Sequence, residues 1–209
     1  MQLKNRLDAH FASAAAVAVG AAMLGAAHQA DAGIVWSGIR NINIPSNVDG
    51  VYLNVITGQT GSAASAVSGW DLNPYGTSNL TFFSPTGGGM VRGLGSSGTL
   101  VDNLAYLTVI GSSQAFGGGS VETTGATAMN LNSSENLVGF RFINEATGAT
   151  HYGWARLQFT GTSFSQPRAI VEYAYESTAG ASIQAGVIPA PGALALLGAA
   201  GLLARRRRR

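Results

Sequence analysis

The chain has 209 residues, 12 lysines and arginines against 10 acids, and no cysteine. Lys4, Arg6 and Arg205 to Arg209 lie at the two ends, so Gly33 to Gly186 keeps five arginines and no lysine against eight acids, a net of −3. That balance excludes a basic face for nucleic acid, and the lack of cysteine excludes a disulfide scaffold, thiolate zinc sites and a lipidated cysteine anchor.

The N-terminal segment carries Lys4 and Arg6 against Asp8, then an uncharged run rich in Ala and Val from Phe11 to Ala27. Ala30 and Ala32 put small side chains at the two positions a signal peptidase reads. This predicts a signal helix and cleavage before Gly33, with residues 1–32 as the signal peptide. The body that follows, 33–186, is long enough for one domain with a sizeable core.

Throughout that body Gly, Ser, Thr and Asn punctuate short β-branched and aromatic clusters. The clusters predict strands at Ile34–Trp36, Ile39–Ile44, Val51–Thr57, Ala66–Leu72, Leu80–Phe83, Tyr106–Ile110, Val138–Ile143, Gly153–Phe159 and Ile170–Glu176. Short strands with turn chemistry between them predict an all-β fold, a β-sandwich or jelly roll. Ala63 to Ser68 is Ala-rich but too short and too rich in serine to stand as a helix.

The last strands alternate most clearly. Val138, Phe140 and Phe142 fall on one face and Arg141 on the other. Gly153, Ala155, Leu157 and Phe159 oppose Tyr152, Trp154, Arg156 and Gln158. An antiparallel pairing that sets Gly153 against Tyr175, Ala155 against Tyr173 and Leu157 against Val171 puts small residues opposite large ones. The same register sets Arg156 against Glu172 and Tyr152 against Glu176 on the other face.

Four patterns are candidates for chemistry. Gly93-Leu94-Gly95-Ser96-Ser97-Gly98 matches G-x-G-x-x-G, but turn residues precede it and no helical periodicity follows, so a glycine loop is expected. Gly111 to Ala115 echoes a nucleophile elbow with Ala in place of the last Gly. Its only available base is His151, which reads as a structural histidine. Glu172 and Glu176 share a face about 13 Å apart along a strand, too far for the two carboxyls of a glycosidase. Asn47, Asp49, Asp71 and Asn73 offer oxygen ligands without calcium-loop spacing, so no cofactor is expected and calcium is the one metal left open.

The tail is a proline-marked linker, Val187 to Gly192, an uncharged stretch from Ala193 to Ala204, and five arginines. As a helix the 18 residues from Val187 to Ala204 reach about 27 Å, close to a bilayer's hydrocarbon thickness. Pro189 and Pro191 shorten it, and the arginine stems can span the shortfall. The arginines would hold the C-terminus cytoplasmic and the body outside.

Pro189-Ala190-Pro191-Gly192, the apolar helix and Arg205, Arg206, Arg207, Arg208 and Arg209 together resemble the PEP-CTERM sorting signal of Gram-negative-type bacteria, over residues 187–209. Ala190 stands where the family's name has Glu, and members carrying Pro-Ala-Pro-Gly occur. The resemblance implies removal of the tail by an exosortase, a membrane-embedded transpeptidase-like enzyme. His151-Tyr152-Gly153-Trp154-Ala155-Arg156, Ile170 to Glu176 and Gly180 to Gly186 resemble a block shared by exported PEP-CTERM proteins and their relatives, which implies common architecture.

The sequence thus predicts a non-enzymatic exported protein, anchored transiently in the inner membrane by its C-terminal helix. It meets signal peptidase and an exosortase-type enzyme, and then serves at the cell surface or in the extracellular matrix. An alternative is a glycan-binding module facing exopolysaccharide, with Tyr152, Trp154 or Trp70 as stacking faces and Arg156 and Glu172 as hydrogen-bonding partners. An unrecognised hydrolase ranks third. Exposure of Trp154 discriminates the glycan reading from a purely structural sandwich.

Overall fold

A computed structural model of the chain describes residues 33–95 and 98–189. The predicted signal segment 1–32 and the sorting residues from Ala190 to Arg209 lie outside them, as do Ser96 and Ser97 of the glycine loop. Among the described residues no helix is long and apolar enough to cross a membrane.

The protein is all-β. In chain order the strands are β1 (Ile34–Trp36), β2 (Ile42–Asn43), β3 (Tyr52–Leu53), β4 (Thr60–Gly61), β5 (Asn73–Tyr75), β6 (Thr81–Phe83) and β7 (Gly89–Val91). There follow β8 (Val109–Ile110), β9 (Phe116–Gly117), β10 (Gly119–Ser120), β11 (Ser133–Asn144), β12 (Ala149–Phe159), β13 (Ala169–Glu176) and β14 (Ile183–Gln184). The main sheet runs β1-β13-β12-β11-β7-β9, with β2 also on β13. Three small sheets, β10-β6-β5, β3-β4 and β14-β8, lie beside it.

Alternation in β11, β12 and β13 gives the main sheet two apolar faces, as a sheet covered on both sides requires. On one face Val138, Phe140, Phe142, Leu157 and Phe159 join a core with Leu53, Leu72, Leu80 and Phe82. On the other, Leu137, Tyr152, Trp154 and Ala174 pack with Leu104, Ile110, Ile183 and Ala185. The face that the sequence left open is therefore roofed along part of its length by β8, β14 and their flanking loops.

The predicted register of β12 on β13 holds from Gly153 opposite Tyr175 to Arg156 opposite Glu172. It then shifts by one, so Leu157 faces Ile170 and not Val171. Val171 is the extra residue of a bulge, and its carbonyl accepts from both Arg40 N (2.8 Å) and Asn41 N (3.0 Å). The bulge marks the gap where β1 ends and β2 begins along the edge of β13.

Four other expectations change. Ile39–Ile44 contracts to Ile42–Asn43, since Asn41 adopts φ +48. Ala66–Leu72 is no strand. A 3-10 turn covers Ala64–Ala66, Gly69 sits at φ +62, and pairing resumes only at Leu72 with Leu53. The strand from Val51 stops at Leu53, because Asn54 Oδ1 takes the amides of Ile56 (3.0 Å) and Thr57 (2.9 Å). Tyr106–Ile110 contracts to Val109–Ile110, since Leu107 adopts φ +69.

One side chain ties the loops together. Arg168 is fully buried, and its guanidinium donates to Ile44 O (3.1 Å), Pro45 O (2.8 Å), Ser163 O (2.9 Å) and Gly76 O (2.7 Å). Burial lowers its pKa below the ordinary arginine value. The four carbonyls come from the chain after β2, the chain after β5 and the β12–β13 connection, so this cation fastens three segments distant in sequence.

Candidate functional site

Beyond the roof over Trp154, the second face of the main sheet opens again. β12 carries Trp154, Arg156 and Gln158 on that face; Trp154 is buried, while Arg156 and Gln158 are half-exposed. Four neighbouring strands supply one polar row there. Trp36 of β1 donates through Nε1 to Glu172 Oε2 at 2.8 Å. Arg156 of β12 donates through Nε to Glu172 Oε1 of β13 at 2.8 Å. Its Nη1 donates to Ser134 O (3.2 Å) and to Glu135 Oε1 of β11 (3.3 Å).

Both oxygens of Glu172 are thus held by donors from the two flanking strands. The Arg156–Glu172 pair has side-chain exposures of 20% and 11%, whereas Glu135 is 72% exposed. An exposed pair contributes only about 0–1 kcal/mol. The short, sheltered bond to Glu172 therefore fixes the guanidinium, and the longer arm to Glu135 leaves that carboxylate available to solvent.

Glu135, Arg156 and Glu172 of this row line a groove of about 560 Å³ whose other walls include Leu104, Tyr106, Leu137 and Gly186. That volume is in the range of small-molecule sites. Tyr106 is 66% exposed, and its ring lies against Gly186, where an added Cβ would come within 2.6 Å of Tyr106 Cδ2. A second groove of about 290 Å³ is lined by Asn132, Ser133, Ser134, Gln158, Phe159 and Thr160.

The structure brings Arg156 and Glu172 together as the register predicted, but it removes the predicted stacking faces. Trp154 is 1% exposed and donates through Nε1 to Val187 O at 3.0 Å. Tyr152 is buried under the Phe116 ring, centroids 5.7 Å apart. Trp70 lies in the other layer, half-buried, edge-on to Tyr52 at 4.9 Å and tilted against Phe83 at 5.8 Å. Trp36, Tyr106 and Glu135 were missing from the sequence-based site. The register of β1 on β13, with Trp36 opposite Ala174, is the signal that would have found the first of them.

The other candidates are engaged elsewhere. His151 is buried, its Nδ1 2.8 Å from Glu176 O and its ring stacked on Phe142 at 5.5 Å. In the glycine loop, the amides of Leu94 (2.9 Å) and Gly95 (3.1 Å) donate to the buried Asp102 carboxylate, which also accepts from Thr127 Oγ1 at 2.6 Å. Those are amides a pyrophosphate would need, and among the described residues no helix follows them. Glu176 bonds its own turn at Thr178 N, 2.8 Å.

Of the four oxygen donors, Asn47 caps the amides of Asp49 (3.2 Å) and Gly50 (2.7 Å), and Asn73 donates to Asp49 O (2.8 Å). Asp71 accepts from Val55 N at 2.7 Å. Burial pushes its carboxyl up to about 7, the Val55 bond pulls it down and Glu145 pushes it up. Among the described residues no group of three or more His, Cys, Asp or Glu is placed to hold a metal.

No known protein family, no curated protein and no solved structure matches this chain.

Proposed function

We propose that the chain is an exported protein of the cell surface or extracellular matrix, processed at its C-terminus by an exosortase-type enzyme and acting there by binding. The observation that carries this reading is where the compact β unit starts and stops. It runs from Ile34 to Ile188, one residue inside the expected signal-peptidase product and one residue short of Pro189. The two segments outside it are the ones whose composition reads as an export signal and a membrane-held sorting signal. We read the two-sided main sheet with its small partner sheets as a sandwich variant.

Mass spectrometry of the protein recovered from envelope and culture medium tests the proposal. The expected species begins at Gly33 and lacks Arg205 to Arg209. Recovery of the intact chain alone, or unchanged maturation after deletion of the five arginines, overturns it.

The groove beside Arg156 favours carbohydrate binding as the manner of action. The Arg156 guanidinium can donate to sugar hydroxyls and the Glu135 carboxylate can accept from them, while Tyr106 and Leu137 offer apolar surface for ring C–H groups. Tyr152 and Trp154 contribute by packing, not by stacking on a sugar. Trp154 lines the groove and Trp36 bonds Glu172, so an entering ligand changes tryptophan emission. Emission unmoved by any oligosaccharide at millimolar concentration removes this reading and leaves the export reading untouched.

A further inference from the structure

We infer that the two grooves form one track for an extended glycan whose sugars carry free amino groups. This rests on the carbohydrate reading of the Arg156 groove and adds two things to it, polymer length and charge class.

Length follows from the strand. Arg156 and Gln158 are successive outward residues of β12 on one face, about 7 Å apart. The first lines the larger groove and the second the smaller one. Ser134 joins them from the other side, since its carbonyl accepts from Arg156 while the residue itself lines the second groove. A ligand leaving the Arg156 groove along β12 therefore meets the amide and hydroxyl groups of Gln158, Asn132 and Thr160. These groups can bond both the hydroxyls and the amino groups of further sugars.

Charge class follows from counting the groove. Arg156 stands against Glu172 and Glu135, leaving a net of −1. Glu172 is spent on Arg156 and Trp36. Glu135 is the accessible charge, 72% exposed, and its Oε1 accepts both from Arg156 at 3.3 Å and from the neighbouring Ser134 hydroxyl at 2.9 Å, which leaves Oε2 facing solvent for a ligand. An ammonium on the glycan pairs with it. A uronate or phosphate is repelled by it and by the body's net negative charge.

The test titrates the full-length protein, read by tryptophan emission, with hexamers of glucosamine, N-acetylglucosamine and galacturonic acid, and with the glucosamine dimer. Expected is binding of the glucosamine hexamer at least tenfold tighter than the galacturonate hexamer and than the dimer. Glu135→Gln should weaken the glucosamine hexamer about fivefold and flatten its salt dependence, with the N-acetyl hexamer little changed. Gln158→Ala should bring the hexamer closer to the dimer. Equal or tighter binding of the galacturonate hexamer overturns the charge class while the carbohydrate reading stands. Equal affinities of dimer and hexamer overturn the track. Silence towards all four ligands overturns the carbohydrate reading itself.

Discussion

At the scale of single residues, the chemistry of Asp71 departs far from its type. It is 2% exposed and shares a cavity of about 220 Å³ with Glu145. Its pKa rises from 3.8 to about 7 on folding, chiefly through burial. Below pH 4 the acid is protonated in folded and unfolded chains alike, and its burial costs nothing extra. Between pH 4 and 7 the unfolded chain releases the proton while the folded chain keeps it, so stability falls as pH rises through that window and levels off above it. The full span is on the order of 4 kcal/mol. Tyr173 and Tyr175, which interact electrostatically with Asp71, have pKa values raised by their own burial and stay neutral throughout. Asp71→Asn should therefore match the parent near pH 4 and exceed it in stability at pH 8, as read by urea unfolding at pH 4, 6 and 8. Parallel pH curves for the two proteins would refute this. In the sequence Asp71 was one oxygen donor among four, because burial depends on Leu53, Val55 and Glu145 closing around it and leaves no local mark.

At the scale of elements, the strand β12 is built around Gly153. A Cβ there would run into the Phe140 ring, 2.6 Å from its Cε2, and into Ala174 O at 2.7 Å. Gly153→Ala should cost about 2 kcal/mol through overpacking. Combining it with Phe140→Leu should cost less than the two changes summed, because the collision with the ring is removed and only that with Ala174 O remains. Chemical denaturation of the two single variants and the double variant checks both, and strict additivity would show the ring not to be the obstacle.

The small-against-large pairing at Gly153 was legible, since alternation in β12 and β13 set which residues share a face and the register down to Arg156–Glu172. The bulge at Val171 was not, because it is made by Arg40 and Asn41 about 130 positions earlier in the chain. The strands β7, β9 and β10 escaped for a related reason. Gly89, Gly117 and Gly119 belong to segments with no propensity of their own, which become strands only because longer neighbours pair with them. The site divides the same way. Arg156 and Glu172 follow from one register, while Trp36 and Glu135 reach them across two further strand pairings.

At the scale of the whole molecule, the end of the β unit is stitched down. Ala185 N donates to Thr108 O at 2.9 Å, Leu107 N donates to Ala185 O at 3.0 Å, and Trp154 Nε1 donates to Val187 O. A cut anywhere past Pro189 leaves every one of these bonds in place. A chain ending at Pro189 should melt like the parent, whereas one ending at Ser182 loses β14 and uncovers Trp154, shifting its emission to the red and lowering the melting temperature by several degrees. Equal melting of the two truncations would mean that the stitching contributes nothing. Arg168 adds a consequence of another kind. Its cation is gripped by peptide dipoles alone, so no carboxylate at this joint can be neutralised by acid and no ion pair there can be masked by brine. The seam among three distant loops therefore holds alike in brine and in mild acid.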